Sequence, residues 1–198
     1  MTDLILASGS AVRATLLKNA GLSFDVDPAK VDERALEEPM LESGASPTQI
    51  AAELARAKSC EVSSRRPGAL VIGADQILDF EGKRLTKPAD LEAARAQLAA
   101  FSGKSHSLHS AVCISRDGEV VWEDLSTATL SVRHLSDAFL DDYIARAGEP
   151  ILSSVGAYQL ESLGVQLFDR IDGDYFTVLG LPLLPVLNFL REQGSLLK

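Results

Sequence analysis

Five apolar residues, Leu70-Val71-Ile72-Gly73-Ala74, run directly into a carboxylate, Asp75, in a chain of 198 residues. A buried strand that emerges at an acid puts it where α/β sheets bind ligands, and a carboxylate there can hold a metal or accept a proton. The same position also suits an ordinary turn or loop cap. Near the start of the chain, Leu4-Ile5-Leu6-Ala7 is followed by Ser8-Gly9-Ser10 and, one helical turn in, by Arg13. Helix-terminal N–H groups, two hydroxyls and a guanidinium would converge there on one anion. Alternatively, Ser10 merely caps the helix and Arg13 is solvated. Neither a Walker loop nor the dinucleotide glycine fingerprint is present.

Arg13, Lys58 and Lys87, the last followed by Pro88, are the cations that a shared pocket would turn into phosphate clamps, although isolated lysines are mostly solvated. Glu33, in the acidic stretch Val31-Asp32-Glu33, offers a second carboxylate that would help Asp75 hold a hard divalent cation, with an exposed loop pair as the ordinary alternative. A carboxylate of normal pKa, near 4, is a weak base, so a metal must supply part of any activation of water. His106 and His109 fall on opposite faces of an expected strand and cannot share a metal, and isolated His134 receives no role. Cys60 and Cys113 lack zinc or disulfide spacing and read as buried apolar residues.

The elements that must position these groups follow from periodicity and caps. Leu4–Ala7 reads as a strand, and a helix then carries Leu16, Leu17 and Ala20 to Gly21. A further strand is expected at Ser23–Val26. Ser46-Pro47-Thr48-Gln49 forms a capping box with proline at the first helical position, opening a helix to about Ser63. Ala69–Ala74 reads as a buried strand, Glu81-Gly82 as a turn, and Asp90 as the cap of a helix ended by Ser102-Gly103. Ser107–Arg133 reads as antiparallel strands around an Asp117-Gly118 hairpin, and Ser136 caps a helix that Gly148 breaks. The last strands are expected near Val165–Ile171 and at Phe176–Leu179, the latter entered through the turn Asp172-Gly173-Asp174-Tyr175, before a final helix with Leu183, Leu187 and Leu190. Helices alternating with strands, interrupted by a long hairpin, predict a mixed α/β or α+β sheet.

A hydrophobic fraction of 46% supports a full core and argues against disorder. The formal charge of −9 disfavours a broad nucleic-acid surface, while a few converging cations and a metal can still admit a small anion. No apolar run approaches the roughly 20 residues that span a bilayer, and Met1-Thr2-Asp3 lacks the basic start of a signal peptide, so a soluble cytoplasmic protein without a membrane partner is expected.

Taken together, Leu4-Ile-Leu-Ala-Ser-Gly-Ser10 with Arg13, Val31-Asp-Glu33, Ile72-Gly-Ala-Asp75, Lys87-Pro88, Phe101-Ser-Gly103, Gly156-Ala157, Ile171-Asp-Gly-Asp-Tyr175 and Val178-Leu-Gly-Leu-Pro182 resemble the Maf family in order and spacing over nearly the whole chain. This resemblance implies a single Maf-like domain over residues 1–198, with an elongated mixed sheet related to the inosine-triphosphatase group and two lobes around a cleft. It also implies cleavage of a nucleoside triphosphate substrate to the monophosphate and pyrophosphate with Mg²⁺ or Mn²⁺, in the cytoplasm, and leaves room for a homodimer.

By position, Asp75 matches the proton acceptor and metal ligand, Glu33 an acidic position near the metal, and Ser8, Arg13, Lys58 and Lys87 residues expected around the triphosphate. Family members commonly carry a second arginine after the first turn, where this chain has Ala11-Val12 before a single Arg13. Gln76 and Glu161 resemble the branch acting on 7-methyl-GTP more than the thymidine and uridine triphosphate branch. A carboxylate at Glu161 would accept hydrogen bonds from guanine N1–H and the amino group. The rival reading is a nucleotide-binding regulator of cell division that does not turn over.

Overall fold

The computed structural model describes residues 3–197, so Met1 and Thr2, with their lack of a basic signal-peptide start, lie outside it. A mixed sheet of seven strands has the order β2-β1-β3-β5-β6-β7, with β4 paired to β3. The strands are β1 (Leu4–Leu6), β2 (Asp25–Val26), β3 (Leu70–Phe80), β4 (Lys83–Leu85), β5 (Ser105–Arg116), β6 (Glu119–Val132) and β7 (Phe168–Asp172). β1 runs parallel to β2 and β3, whereas the β3–β4 and β6–β7 pairs are antiparallel. The expected mixed α/β sheet is borne out.

Among the described residues there are seven α-helices: α1 (Ala11–Asn19), α2 (Glu33–Glu42), α3 (Pro47–Arg65), α4 (Leu91–Phe101), α5 (Asp137–Ala147), α6 (Tyr175–Val178) and α7 (Leu183–Glu192). Several begin where the sequence places a cap. Ser46 and Gln49 form the reciprocal capping box of α3, Asp90 accepts from Ala93 N at 2.8 Å, and Ser136 caps α5, which stops at Gly148 with φ 61°. Asp117 and Gly118 both have positive φ, the requirement of the two-residue hairpin turn that joins β5 to β6.

Two compact units divide the chain. The first comprises residues 1–76, 109–126 and 174–198, the second residues 77–108 and 127–173. In the first unit, strict alternation along β3 sorts its side chains. Leu70, Ile72 and Ala74 pack with Leu16, Leu17, Val186, Phe189 and Leu190, from α1 and α7, while Val71 packs with Ile5, Ala7 and Val62. The second unit has an aromatic interior in which Phe101 stacks on His106 at 4.6 Å and Tyr158 meets Phe168 edge-on at 4.9 Å.

Three expectations and one alternative are corrected. Phe176–Leu179 is not a strand: residues 175–178 form α6, because the Asp174 carboxylate accepts from Thr177 N at 3.0 Å and from its hydroxyl at 3.3 Å, an N-cap that overrides the β-prone side chains. The strand near Val165–Ile171 is shifted to β7, since Leu163–Leu167 winds as a 3₁₀ turn. Asp32 and Glu33 are not a loop pair: Asp32 caps α2 by accepting from Ala35 N at 3.1 Å, and Glu33 is the helix's first residue. Finally, β3 continues to Phe80, so Asp75 stands in mid-strand instead of at an exit. Among the described residues no helix is long and apolar enough to cross a membrane.

Candidate active site

Although β3 continues past Asp75, its parallel neighbour does not. β1 pairs Leu6 with Ile72 and Ala7 N donates to Ile72 O at 2.8 Å, after which the chain turns through Ser8-Gly9-Ser10 into α1. Asp75 thus lies three residues beyond the last partner of β1, past that strand's carboxyl end, the side on which α/β sheets bind ligands. By parity Asp75 shares the face of Val71 and Gly73, which is the α3 face. A Cβ at Gly73 would stand 2.4 Å from Ala55 O and 2.6 Å from Ser59 N, so only glycine lets the α3 backbone approach this closely.

That approach brings Lys58, next to Ser59 on α3, onto Asp75. The ammonium donates to Asp75 Oδ1 at 2.7 Å and meets Glu33 Oε1 at 2.9 Å, so one cation holds two carboxylates. The Lys58 and Asp75 side chains are only 12% and 11% exposed, whereas Glu33 is 49% exposed and open to a ligand. Burial raises the pKa of Asp75 above its ordinary value, with Lys58 and Arg13 opposing and Glu33 assisting. The normal carboxylate pKa expected from sequence is therefore corrected: Asp75 is a stronger base than a solvated aspartate.

Arg13 is half-buried, not solvated. Its Nε donates to Gly180 O at 2.8 Å, and its Nη1 donates to Ala74 O at 2.8 Å and to Ser8 Oγ at 3.2 Å. Burial lowers its pKa while Asp75 and Glu33 oppose that change, and a guanidinium stays charged throughout. Ser10 does cap α1, its hydroxyl accepting from Arg13 N at 3.4 Å, and Ser8 Oγ accepts from Ser10 N at 3.3 Å.

Gln76 follows Asp75 on the strand and so points to the opposite face. Its amide nitrogen donates toward Thr177 O and Ser110 Oγ, both at 3.0 Å, and Val178 O at 3.1 Å. Two of these acceptors are carbonyls, which sets the orientation of the amide. Ser8, Arg13, Glu33, Lys58, Asp75 and Gln76 all belong to the first unit. Lys87 and Glu161 belong to the second, both exposed, Lys87 after β4 and Glu161 in the turn before the 3₁₀ segment.

His106 is excluded from surface chemistry by burial. It pairs through Nε2 with the Tyr158 hydroxyl at 2.7 Å, and desolvation pulls its pKa down to about 4. Cys113 is buried as expected, and Cys60 is half-buried. Among the described residues no group of three or more His, Cys, Asp or Glu could hold a metal.

Sequence reasoning passed over Gly73, Ser110, Thr177 and Gly180. The glycine had a readable signal, an unforced Gly inside an apolar strand, while the other three touch Arg13 or Gln76 only through contacts distant in sequence.

A mixed α/β sheet bearing a buried carboxylate that shares one lysine with a second acid defines the α/β class of this site. More particularly, the chain belongs to the Maf-like protein family, whose model matches residues 3–193. It is 53% identical over 190 residues to the 7-methyl-GTP pyrophosphatase of Brucella suis, covering 96% of each chain. To the nucleoside triphosphate pyrophosphatase of Paramagnetospirillum magneticum it is 52% identical over 192 residues, covering 97% of this chain and 99% of the relative. A solved HAM1 protein from Coxiella burnetii superposes with a TM-score of 0.38 at 17% identity, over 67% of this chain and 73% of that one, a likeness too loose to carry weight.

Proposed function

We propose that this Maf-like chain is a nucleoside triphosphate pyrophosphatase in which Asp75 is the catalytic base. The observation that carries the reading is the buried Asp75, raised in pKa and held by Lys58 beside Glu33, in a chain about half identical to relatives named for this reaction. In the reaction, the oxygen of water bonds to the α-phosphorus and its proton passes to Asp75. The bond from the α-phosphorus to the α,β-bridging oxygen breaks, and pyrophosphate leaves with that electron pair. Lys58, Lys87 and Ser8 are the candidate contacts to the triphosphate, Lys58 exchanging a carboxylate partner for a phosphate oxygen.

Glu33 and Asp75 fit a magnesium or manganese ion. Two hard oxygen donors already converge on one cation, and such ions bind through one or two carboxylates while water and substrate phosphates complete the shell. When bound, the ion would neutralise charge on the phosphates and lower the pKa of a coordinated water. Glu161 and Gln76 favour a purine base, 7-methyl-GTP in particular, in a role of clearing unwanted nucleotides. A cytoplasmic setting and a homodimer belong to the same proposal.

Purified protein with 7-methyl-GTP, GTP, dTTP and UTP, read by released pyrophosphate, tests it. Asp75→Asn should lower kcat by about 10²–10⁴-fold with the fold preserved, and chelation of divalent ions should stop turnover. Unchanged release from the variant would refute the role of Asp75, and triphosphate binding without any release by the unmutated protein would refute the hydrolytic reading.

A further inference from the structure

We propose that Arg13 acts as a positioning strut behind Asp75 and does not grip a phosphate as a bidentate fork. The proposal rests on the hydrolytic reading above, because positioning has meaning only if Asp75 does chemistry. A parallel ladder repeats its bonds every second residue, so after Ala7 N→Ile72 O the next donor to β3 would be Gly9 N to Ala74 O. The chain has by then left the sheet for α1. Arg13, one turn into that helix, supplies the missing donor: Nη1 reaches Ala74 O at 2.8 Å, on the peptide that joins Ala74 to Asp75.

The same guanidinium reaches Gly180 O at 2.8 Å through Nε, tying the segment after α6 to the strand. Gly180, at φ 90°, holds a backbone conformation that favours glycine, and a Cβ there would rest in ordinary contact, 3.5 Å from Arg13 Nε and Nη2. Gln76 makes the companion tie from the other side, to Thr177 O and Val178 O. Asp75 is therefore flanked in sequence by two residues, Ala74 and Gln76, that are both tethered to the 177–180 segment or to the side chain that holds it.

Occupancy of the guanidinium excludes the usual phosphate fork. Bidentate recognition of a phosphate uses Nη2 together with either Nε or Nη1. Nε is committed to Gly180 O and Nη1 to Ala74 O and Ser8 Oγ, so each fork has lost one prong. The lack of a second arginine at Val12 does not make Arg13 a phosphate fork, since Nη1 completes the ladder at Ala74 O and Nε holds Gly180 O.

The test is Arg13→Met, which keeps the apolar stem and removes the donors. Hydrogen exchange of the amides in residues 174–181 should accelerate in the variant, an effect independent of any substrate. With 7-methyl-GTP, kcat should fall about 100-fold, the scale of an ångström-level misplacement of a reacting group. KM, and the inhibition constant of inorganic pyrophosphate, should stay within about 3-fold, because a lost phosphate contact would raise both by about 10-fold or more. A rise of that size in KM and in the inhibition constant, or unaltered exchange at 174–181, would overturn the proposal. If the unmutated protein releases no pyrophosphate, the hydrolytic reading fails separately, and the exchange measurement still decides whether Arg13 is a strut.

Discussion

A single methyl group on Gly73 should disable a site it never touches. In Gly73→Ala the new Cβ would lie 2.4 Å from Ala55 O, 2.6 Å from Ser59 N and 2.8 Å from Ser59 Cβ. Ordinary contacts of this kind are about 3.5–4.0 Å, so α3 and β3 must part locally by roughly 1 Å. Lys58 rides on that stretch of α3, and its bonds to Asp75 at 2.7 Å and Glu33 at 2.9 Å would lengthen or break. Overpacking of a core costs about 1–3 kcal/mol, which a domain with about 5–15 kcal/mol of stability survives. A displacement of about 1 Å in a catalytic group costs on the order of 100-fold in rate. The variant should therefore remain folded, with a melting temperature lowered by a few degrees and kcat down by about 100-fold. Because two of the three crowded atoms are backbone, trimming the neighbour in Gly73→Ala/Ser59→Gly should not restore activity. Turnover within about 2-fold of the unmutated protein, with α3 in place by circular dichroism, would refute the claim that close helix–strand packing aims Lys58.

Three further outcomes follow from the site and its surroundings. Lys58→Met leaves the buried Asp75 without its partner, and urea denaturation at pH 8 should show a loss of about 3–5 kcal/mol, with kcat/KM falling in parallel; unchanged stability would contradict the shared pair. His106, held neutral with a folded pKa of about 4 against an ordinary 6.5, contributes stability that is fully present above the unfolded value. That stability is lost as pH falls from 6.5 towards 4, by about 3 kcal/mol in all, and a flat urea stability profile across the window, or the same slope in His106→Gln, would disprove it. Glu161→Gln should lower kcat/KM for 7-methyl-GTP relative to UTP by about 10-fold, the loss of one charge-assisted acceptor, and an unchanged ratio would remove Glu161 from base selection.

Where a local side chain closes an element, the element was legible in advance. Ser46 with Gln49, Asp90, and Ser136 with Gly148 each satisfy or terminate a helix end within a few residues, so α3, α4 and α5 could be read almost to the residue. Elements whose local signals conflict were lost. α2 contains Pro39 and a run of acids, which hide the helix in the sequence although Asp32 caps it; α6 has the β-prone sequence Tyr-Phe-Thr-Val, and its cap Asp174 reads as a turn residue. A capping carboxylate bonded to a backbone N–H three residues on outweighed side-chain propensity in both places.

The site divides along the same line, but alternation carries the decisive part. The residue types at positions 33, 58 and 75 suggested a carboxylate pair with a cation, and the structure joins them on one ammonium. The partners of Arg13 and Gln76 lie 61 to 167 residues away at carbonyls for most contacts, which no spacing rule encodes. Once β3 is known to run through Asp75, however, period two sends Gly73 and Asp75 to the α3 face and Gln76 away from it. Asp75 and Gln76, adjacent in sequence, then perform different tasks: one meets the lysine and the other fastens the segment behind it. Any effect of Gln76 on base preference must accordingly travel through the 177–180 segment, so substituting Gln76 alone should alter the geometry of Asp75 before it alters recognition of a base.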